Sequence, residues 1–242
     1  MENRRAADAA GGVFVCGSPY TEVSTVAWSL AAHPSFWTSS ESRFLFRMFG
    51  NRGGARPCLY DTFLTCAASG AWLEVNQVTY PEFAGAVGAG IAALFDSRAG
   101  GRRWVDNSPE NSLITDDLLA MFPASCIVGL LQPPETAVYL EFGRRGPTAA
   151  EQSRLRNVVE MTGHYCGALR RAFELAPDRV MLIEEAELLG TPERCFADLL
   201  DFLGEPHDDR AAERFTGHLL RFDQPLVEAR QIVSELSPLD VG

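Results

Sequence analysis

Residues 12–19 read Gly-Val-Phe-Val-Cys-Gly-Ser-Pro. Val13 to Cys16 are apolar without a break, and the run ends on Gly17. A strand with one wet face alternates polar and apolar residues; an unbroken apolar run is the pattern of a strand buried on both faces. Such strands belong to parallel sheets covered by helices on both sides, so this run argues for an α/β protein. The next residues agree with a strand–turn–helix unit. Ser18-Pro19-Tyr20-Thr21-Glu22 has turn chemistry, and Val23, Val26, Ala27, Leu30 and Ala31 then recur at helical spacing up to His33-Pro34. Proline has no N–H to continue the ladder, so the helix is expected to end there.

The same grammar repeats along the chain. Arg103–Asp106 (RWVD), Ser125–Leu131 (SCIVGLL) and Arg179–Ile183 (RVMLI) are predicted strands. Asn107-Ser108-Pro109-Glu110 has the turn and helix-start residues for a helix running to about Met121. Thr148-x-x-Glu151 is a capping box, and the helix behind it is expected to bury Leu155, Val158, Val159, Thr162, Tyr165, Cys166, Leu169 and Phe173. Thr191-Pro192 opens another helix, with Cys195, Phe196, Leu199, Leu200 and Leu203 inward and Gly204 as its stop. Glu41 to Phe49 is a short Phe-rich helix, Gly50–Pro57 a loop, and Cys58 to Phe95 a helical region interrupted at Gly85, Gly88 and Gly90. The expected organisation is a tail over 1–11, one α/β domain over 12–218 with a parallel sheet flanked by helices, and a C-terminal helix and tail over 219–242.

Composition narrows the function classes. The chain has 242 residues, 46% hydrophobic and 22% charged, which is ordinary for a globular protein. At this length folding buries about 70–75% of the unfolded surface, so no metal or disulfide staple is required. Lys plus Arg is 21 and Asp plus Glu is 32, a net charge of −11. An acidic chain repels phosphate backbones, which argues against general binding to nucleic acid or anionic membranes. The basic residues are all Arg and occur only as scattered pairs such as Arg102-Arg103 and Arg170-Arg171. None of the six cysteines forms a C-x-x-C pair or stands at a zinc-ligand spacing from a histidine, so no metal site is expected. Free cysteines in apolar runs fit a reducing cytoplasm. The first ten residues lack the apolar core of a signal peptide, and no run of 18 apolar residues spans a membrane. The Arg-, Ala- and Gly-rich, Lys-free composition suits a high-GC bacterium and a secondary-metabolite pathway.

The ordered segments resemble the sulfotransferases that use 3′-phosphoadenosine-5′-phosphosulfate (PAPS) as sulfuryl donor. Gly17-Ser18-Pro19-Tyr20-Thr21-Glu22-Val23-Ser24-Thr25 resembles that family's GSPRSGTT turn. Ser39-Ser40-Glu41-Ser42-Arg43-Phe44-Leu45 resembles the next segment, where a Glu is often the general base. Arg103–Pro109 resembles the W-x-x-K-[ST]-P segment, Met121-Phe122-Pro123 with Cys126–Leu131 the FP-containing strand, Val180–Leu189 the late Y-E-D-L segment, and Cys195–Pro206 the FLG helix end. The resemblance covers about residues 12–206. It implies a sulfotransferase-like fold related to P-loop proteins.

The departures fall on the anion-binding positions. The family wraps the 5′-phosphosulfate with backbone N–H groups at a helix start. Its loop cation is Tyr20 here, its close-approach glycine is Glu22, and its first Thr is Val23, which leaves Ser24 and Thr25 as hydroxyl donors. The arginine run that holds the 3′-phosphate is Gln132-Pro133-Pro134-Glu135-Thr136, with Leu140 near its downstream Ser, and the Lys of K-[ST]-P is Asn107. A charge-assisted hydrogen bond to phosphate contributes about 1.5–3 kcal/mol, and a carboxylate ~5 Å from a phosphate charge costs about 3 kcal/mol at an effective dielectric near 20. Losing three cations and gaining one acid weakens the donor by orders of magnitude unless Arg43, Arg102 or Arg103 compensates.

Three functions are expected from these residues. The first is an enzyme of this fold acting on a small apolar metabolite without PAPS or any other cofactor, by an acid/base cyclisation, rearrangement or elimination. Glu41, set among Trp37, Phe44 and Phe46, is its first catalytic candidate and Glu22 its second. Its pocket draws on Gly17, Ser18, Pro19, Tyr20, Thr21, Ser24, Thr25, Trp37, Phe44, Asp106 and Ser108. The second is a working PAPS-dependent sulfotransferase in which Glu41 deprotonates an acceptor hydroxyl. The third is a non-catalytic partner protein. Bland readings stand beside these. Trp28, Trp37, Phe44, Phe46, Trp72 and Trp104 could line an apolar acceptor pocket, the bland reading being that each is core; likewise Glu41 or Glu22 is a helix-start acid, Asp106 and Ser108 are turn and cap residues, and His33 is a partner for a helix C-terminus.

Overall fold

The computed structural model describes residues 11–49, 62, 66–143 and 147–219. The predicted Gly50–Pro57 loop, residues 1–10 of the tail and 220–242 lie outside the described residues. Five strands form one parallel sheet: β1 (Val13–Cys16), β2 (Phe36–Thr38), β3 (Arg103–Asp106), β4 (Cys126–Leu131) and β5 (Val180–Glu184), in the order β2-β3-β1-β4-β5. The helices are α1 (Val23–Leu30), α2 (Phe44–Phe49), α3 (Ala67–Val75), α4 (Tyr80–Ala99), α5 (Thr115–Met121), α6 (Pro134–Phe142), α7 (Gln152–Leu175), α8 (Glu185–Gly190), α9 (Pro192–Leu203) and α10 (Asp209–Leu219). A 3₁₀ turn, Pro109–Ile114, leads into α5, and a second, Ala149–Glu151, leads into α7.

The apolar run of β1 is explained by what covers it. Val13 and Val15 point to one core with Val26, Ala27, Leu30, Leu199 and Phe215 from α1, α9 and α10. Phe14 and Cys16 point to the other, with Trp104, Leu118, Met121, Phe122 and Leu169. Phe14 meets the rings of Trp104 and Phe122 at 5.1 Å each. Both faces are dry, so no polar residue is tolerated along the strand.

Several expectations are corrected. β2 was not anticipated. It is a three-residue edge strand whose Phe36, Trp37 and Thr38 pair with Arg103, Trp104 and Val105. The glycines 85, 88 and 90 do not interrupt the second helical region, because α4 runs through them. Thr79 and Glu82 cap one end, Pro81 sits in the first turn, and left-handed Gly100 ends it. Val159 and Phe173, assigned inward on α7, are each 40% exposed. Glu41 precedes α2 rather than starting it.

Candidate functional site

The chain leaves β1 and fills β2 and β3 on one side, then crosses to β4 and β5 on the other. The carboxyl ends of β1, β3 and β4 therefore flank a topological switch point, where open parallel sheets form a crevice. The loops that meet there are Gly17–Glu22 after β1, Ser39–Arg43 after β2, Asn107-Ser108 after β3 and Gln132 after β4.

The loop after β1 is a tight turn. Thr21 N–H and its hydroxyl both donate to the Ser18 carbonyl, at 3.0 and 2.7 Å. Ser112 Oγ donates to the Gly17 carbonyl at 3.0 Å. A Cβ on Gly17 would stand 2.2 Å from Thr21 Oγ1, so the turn needs glycine for close approach rather than for a special φ. Pro19 is exposed at the tip. Tyr20 turns away from the crevice. Its hydroxyl donates to Glu141 on α6 at 2.6 Å, Arg154 pairs with that same carboxylate, and the ring packs on Ala137, Val138, Phe142, Leu155 and Val158.

Glu22 is the N-cap residue of α1 and accepts from Thr25 Oγ1 at 2.5 Å. A carboxylate there supplies the negative charge that a helix start favours. Gln132 faces it from the end of β4. Gln132 is 2% exposed, accepts from Ser18 Oγ at 3.0 Å, and donates through Nε2 to the Tyr20 carbonyl and to Glu185 Oε1, each at 3.0 Å. Register brings Glu185 into reach, since Leu131 pairs with Glu184 in the sheet. Burial pushes the Glu185 carboxyl above the ordinary carboxylate range. Hydrogen bonds from Gln132 and Thr136 pull it back, and the charge of Glu22 adds to the rise.

The second half of the site hangs on Asp106, at the end of β3. Its carboxylate accepts from Ser42 Oγ, from Ser108 N–H at 2.9 Å and from Asn111 Nδ2 at 3.4 Å. Burial raises its pKa, opposed by the hydrogen bonds from Ser42 and Ser108. Ser108 Oγ in turn accepts from the Arg43 N–H at 3.0 Å and lies 3.3 Å from Ser42 Oγ. Arg43 is held there with φ +52°, a left-handed conformation that a bulky residue adopts only when its surroundings over-determine it. Its guanidinium pairs with Glu41 and lies 3.9 Å from Glu110. Glu41 is thus ion-paired with Arg43, its side chain 25% exposed. Trp37, Phe44 and Phe46 pack on the core below.

Ser24, Trp28, Ser40, Glu41, Arg43 and Asn107 line an open cleft of about 420 Å³. The sequence candidates thus separate into two places. Gly17, Ser18, Thr21, Glu22 and Thr25 stay with the loop after β1, while Glu41, Ser24, Asp106 and Ser108 gather at or beneath the cleft. Trp37 and Asp106 also border a small recess of about 10 Å³. Ser42, Gln132 and Glu185 were not expected as site residues, and Trp28 was expected only as one of several aromatics that could line an apolar acceptor pocket. The signal for Gln132 was its place at the end of a predicted strand; Glu185 needed the register. Arg102 and Arg103 do not reach this end of the sheet. Arg103 opens β3 at the opposite edge and donates to the carbonyls of Gly11 and Leu203, while Arg102 donates to those of Ala99 and Phe36. His33 is buried, with Nδ1 accepting from Ser35 N–H at 3.2 Å and Nε2 on the Pro206 carbonyl at 3.1 Å. Among the described residues no group of three or more His, Cys, Asp or Glu side chains is placed to hold a metal ion, and no single helix is long and apolar enough to cross a membrane.

The strand order defines a parallel α/β protein with a crevice at the switch point. Comparison with solved structures narrows this to a sulfotransferase-like fold. The sulfotransferase domain from the curacin biosynthetic pathway superposes with TM-score 0.57 at 18% identity, over 94% of this chain and 97% of that one. The sulfotransferase domain of the Synechococcus PCC 7002 olefin synthase gives 0.54 at 19% identity, over 98% and 99%. A Mycobacterium avium sulfotransferase gives 0.54 at 15%, over 90% and 70%. No family model and no curated protein matches the sequence.

Proposed function

We infer that this chain is an enzyme of the sulfotransferase-like fold that acts on a small molecule without PAPS, by proton transfer at Glu41 in the cleft. The observation that carries this reading is Gln132. Its amide occupies the space between the β1 loop and β5, and it ties up Ser18, the Tyr20 carbonyl and Glu185 together. Glu22 and Glu185 add carboxylates where a phosphosulfate would bring negative charge, and like charges in a half-buried site cost several kcal/mol, on the order of 332/(ε·r). Arg43 is the cation lining the cleft, and it is paired with Glu41. A carboxylate lining a cleft that also exposes the Trp28 indole suits proton abstraction or return in a cyclisation, rearrangement or elimination.

The second reading is a PAPS-dependent sulfotransferase. The fold neighbours favour it, because they are described as sulfotransferases and two come from biosynthetic assemblies. It needs Ser18, Ser24 and Thr25 to bind phosphate, yet Ser18 donates to Gln132 and Thr25 to Glu22. Calorimetric titration with 3′-phosphoadenosine-5′-phosphate at low salt separates the two. No heat at millimolar ligand is the expected result; a micromolar constant overturns the PAPS-independent reading.

A further inference from the structure

In α4 every residue from Phe83 to Phe95 is apolar. A helix that is apolar all round is ordinarily enclosed on all sides, and α4 is enclosed on one. Its inner side packs chiefly on α5, β2 and β3. There Ala84 and Gly88 are buried, and Phe95 meets the rings of Phe44 and Trp104 at 5.9 and 4.9 Å. The outer side leaves Ala86, Ala89, Gly90 and Ala93 exposed, with Leu94 51% exposed. α3, joined to α4 through a bend of 114°, adds exposed Trp72 and Val75. Gly90 sits in the middle of the outer face. After proline, glycine is the costliest residue inside a helix, so its retention calls for a cause. Gly88 has one within the chain, since a Cβ there would stand 2.1 Å from the Met121 carbonyl oxygen. A Cβ on Gly90 would meet nothing within 4 Å, and Gly90 is not left-handed. The bare backbone at Gly90 leaves room for close approach from outside the chain.

We propose that this chain associates with a second copy of itself through the outer face of α4, as a two-fold antiparallel helix pair centred on Gly90. The contour of the face is self-complementary. Leu94 stands one turn beyond Gly90 and Ala86 one turn before it. In an antiparallel pair with its axis at Gly90, each Leu94 comes level with the small Ala86 of the partner subunit, and the two glycines let the backbones close. Charge points to the same face. Two copies at −11 each repel, and α4 carries no charge between Glu82 and Asp96, so they meet there without setting like charges together. Area sets the strength. A 20-residue helix is about 30 Å long and offers a strip about 10 Å wide, about 300 Å² per copy. A standard interface takes roughly 800 Å² per partner. Trp72 and Val75 enlarge the strip without closing that gap, so the dimer belongs to the weak, reversible class. None of this depends on the reaction in the cleft.

Sedimentation equilibrium of the full chain tests it, from about 10 μM to about 500 μM. The expected result is a monomer–dimer equilibrium that added salt strengthens, because salt screens the repulsion between two acidic copies. Gly90→Glu places two carboxylates face to face on the axis and should weaken association by about tenfold or more. Gly90→Ala should weaken it several-fold while the dilute monomer melts no lower, since alanine favours the helix; that loss is then not a loss of folding. Phe173→Ser, at an exposed position on α7, should leave association unchanged. A chain that stays monomeric at the highest concentration overturns the proposal. So does a dimer that Gly90→Glu leaves intact, or one that Phe173→Ser weakens as much. Binding to neutral phosphatidylcholine vesicles by a chain that remains monomeric also overturns it, and assigns the face to a lipid surface instead.

Discussion

Replacing Gln132 by leucine asks whether one buried amide holds the loop after β1. The side chain is 2% exposed, accepts from Ser18 Oγ and donates to the Tyr20 carbonyl and Glu185 Oε1, all at 3.0 Å. Leucine keeps much of the volume and removes all three bonds. Ser18 is wholly buried and Glu185 is 8% exposed, so neither regains a partner from solvent. An orphaned buried neutral group costs about 1–3 kcal/mol, and a hydrogen bond lost to a charged group about 1.5–3 kcal/mol. The Tyr20 carbonyl adds less, because its loop is only partly buried. The three losses share one side chain and do not simply add, so about 3–5 kcal/mol is expected, a large part of the 5–15 kcal/mol that holds a typical domain. With a urea m-value of about 2 kcal/mol/M, the midpoint should fall by roughly 1.5–2.5 M with m unchanged. Ser18→Ala should cost about 1–2 kcal/mol in the native background and almost nothing in Gln132→Leu. A Gln132→Leu cost below about 1 kcal/mol, or a Ser18→Ala cost that is the same in both backgrounds, refutes the role given to this amide.

Glu185 has its folded pKa raised above the ordinary 4.5, first by burial. A raised carboxyl contributes stability that is present below 4.5 and lost as pH rises through the folded value, about 1.4 kcal/mol per unit of rise. Glu185→Gln, which cannot ionise, should therefore gain on the native protein as pH is raised from about 4 to neutral in thermal melts; a gain independent of pH would contradict the assignment. Gly17→Ala places a Cβ 2.2 Å from Thr21 Oγ1 and should destabilise by about 1–3 kcal/mol in urea unfolding, with Thr21→Ala restoring part of the loss. In α4, Gly88→Ala would put a Cβ 2.1 Å from the Met121 carbonyl oxygen and should be clearly destabilising. Gly90→Ala meets nothing within 4 Å and should stabilise the helix by roughly 0.5–1 kcal/mol in the same assay.

Most strands that cross the core were legible because a short unbroken apolar run bounded by turn residues is the pattern that burial on both faces leaves. β3 was predicted at its observed limits, and β1, β4 and β5 to within a residue. β2 left no mark, since a three-residue edge strand is made by its register with Trp104 rather than by any period of its own. α4 was misread as broken because glycine propensity is a weak prior beside a capping box and a packed face. At Gly88 the glycine instead permits close approach to Met121. The site was half legible. Asp106 and Ser108 could be placed at a strand end and Glu41 by the segment's resemblance, but the pairing of Arg43 with Glu41 and of Gln132 with Glu185 depends on how the loops and strands meet in space. The cleft's Trp28 was one aromatic among several until the fold put it outside the core.

The shape of the β1 loop and the chemistry it performs rest on different residues. Gly17 allows the close turn, Thr21 and Ser18 close it through the backbone, and Ser112 fixes its carbonyl from the 3₁₀ turn after β3. None of these groups carries a charge. The side chains that project from that frame are Tyr20, Glu22 and Gln132, the positions where the sequence resemblance would lead one to expect a cation, a glycine and an arginine. They also take part in holding the frame, since Tyr20 packs on Val138 and Phe142 and Gln132 ties Ser18 to Glu185. Each of the three has a partner of its own: Tyr20 donates to Glu141, Glu22 accepts from Thr25, and Gln132 donates to Glu185. A site that had merely lost its ligand would be expected to leave such groups unpaired, at about 1–3 kcal/mol for each buried one.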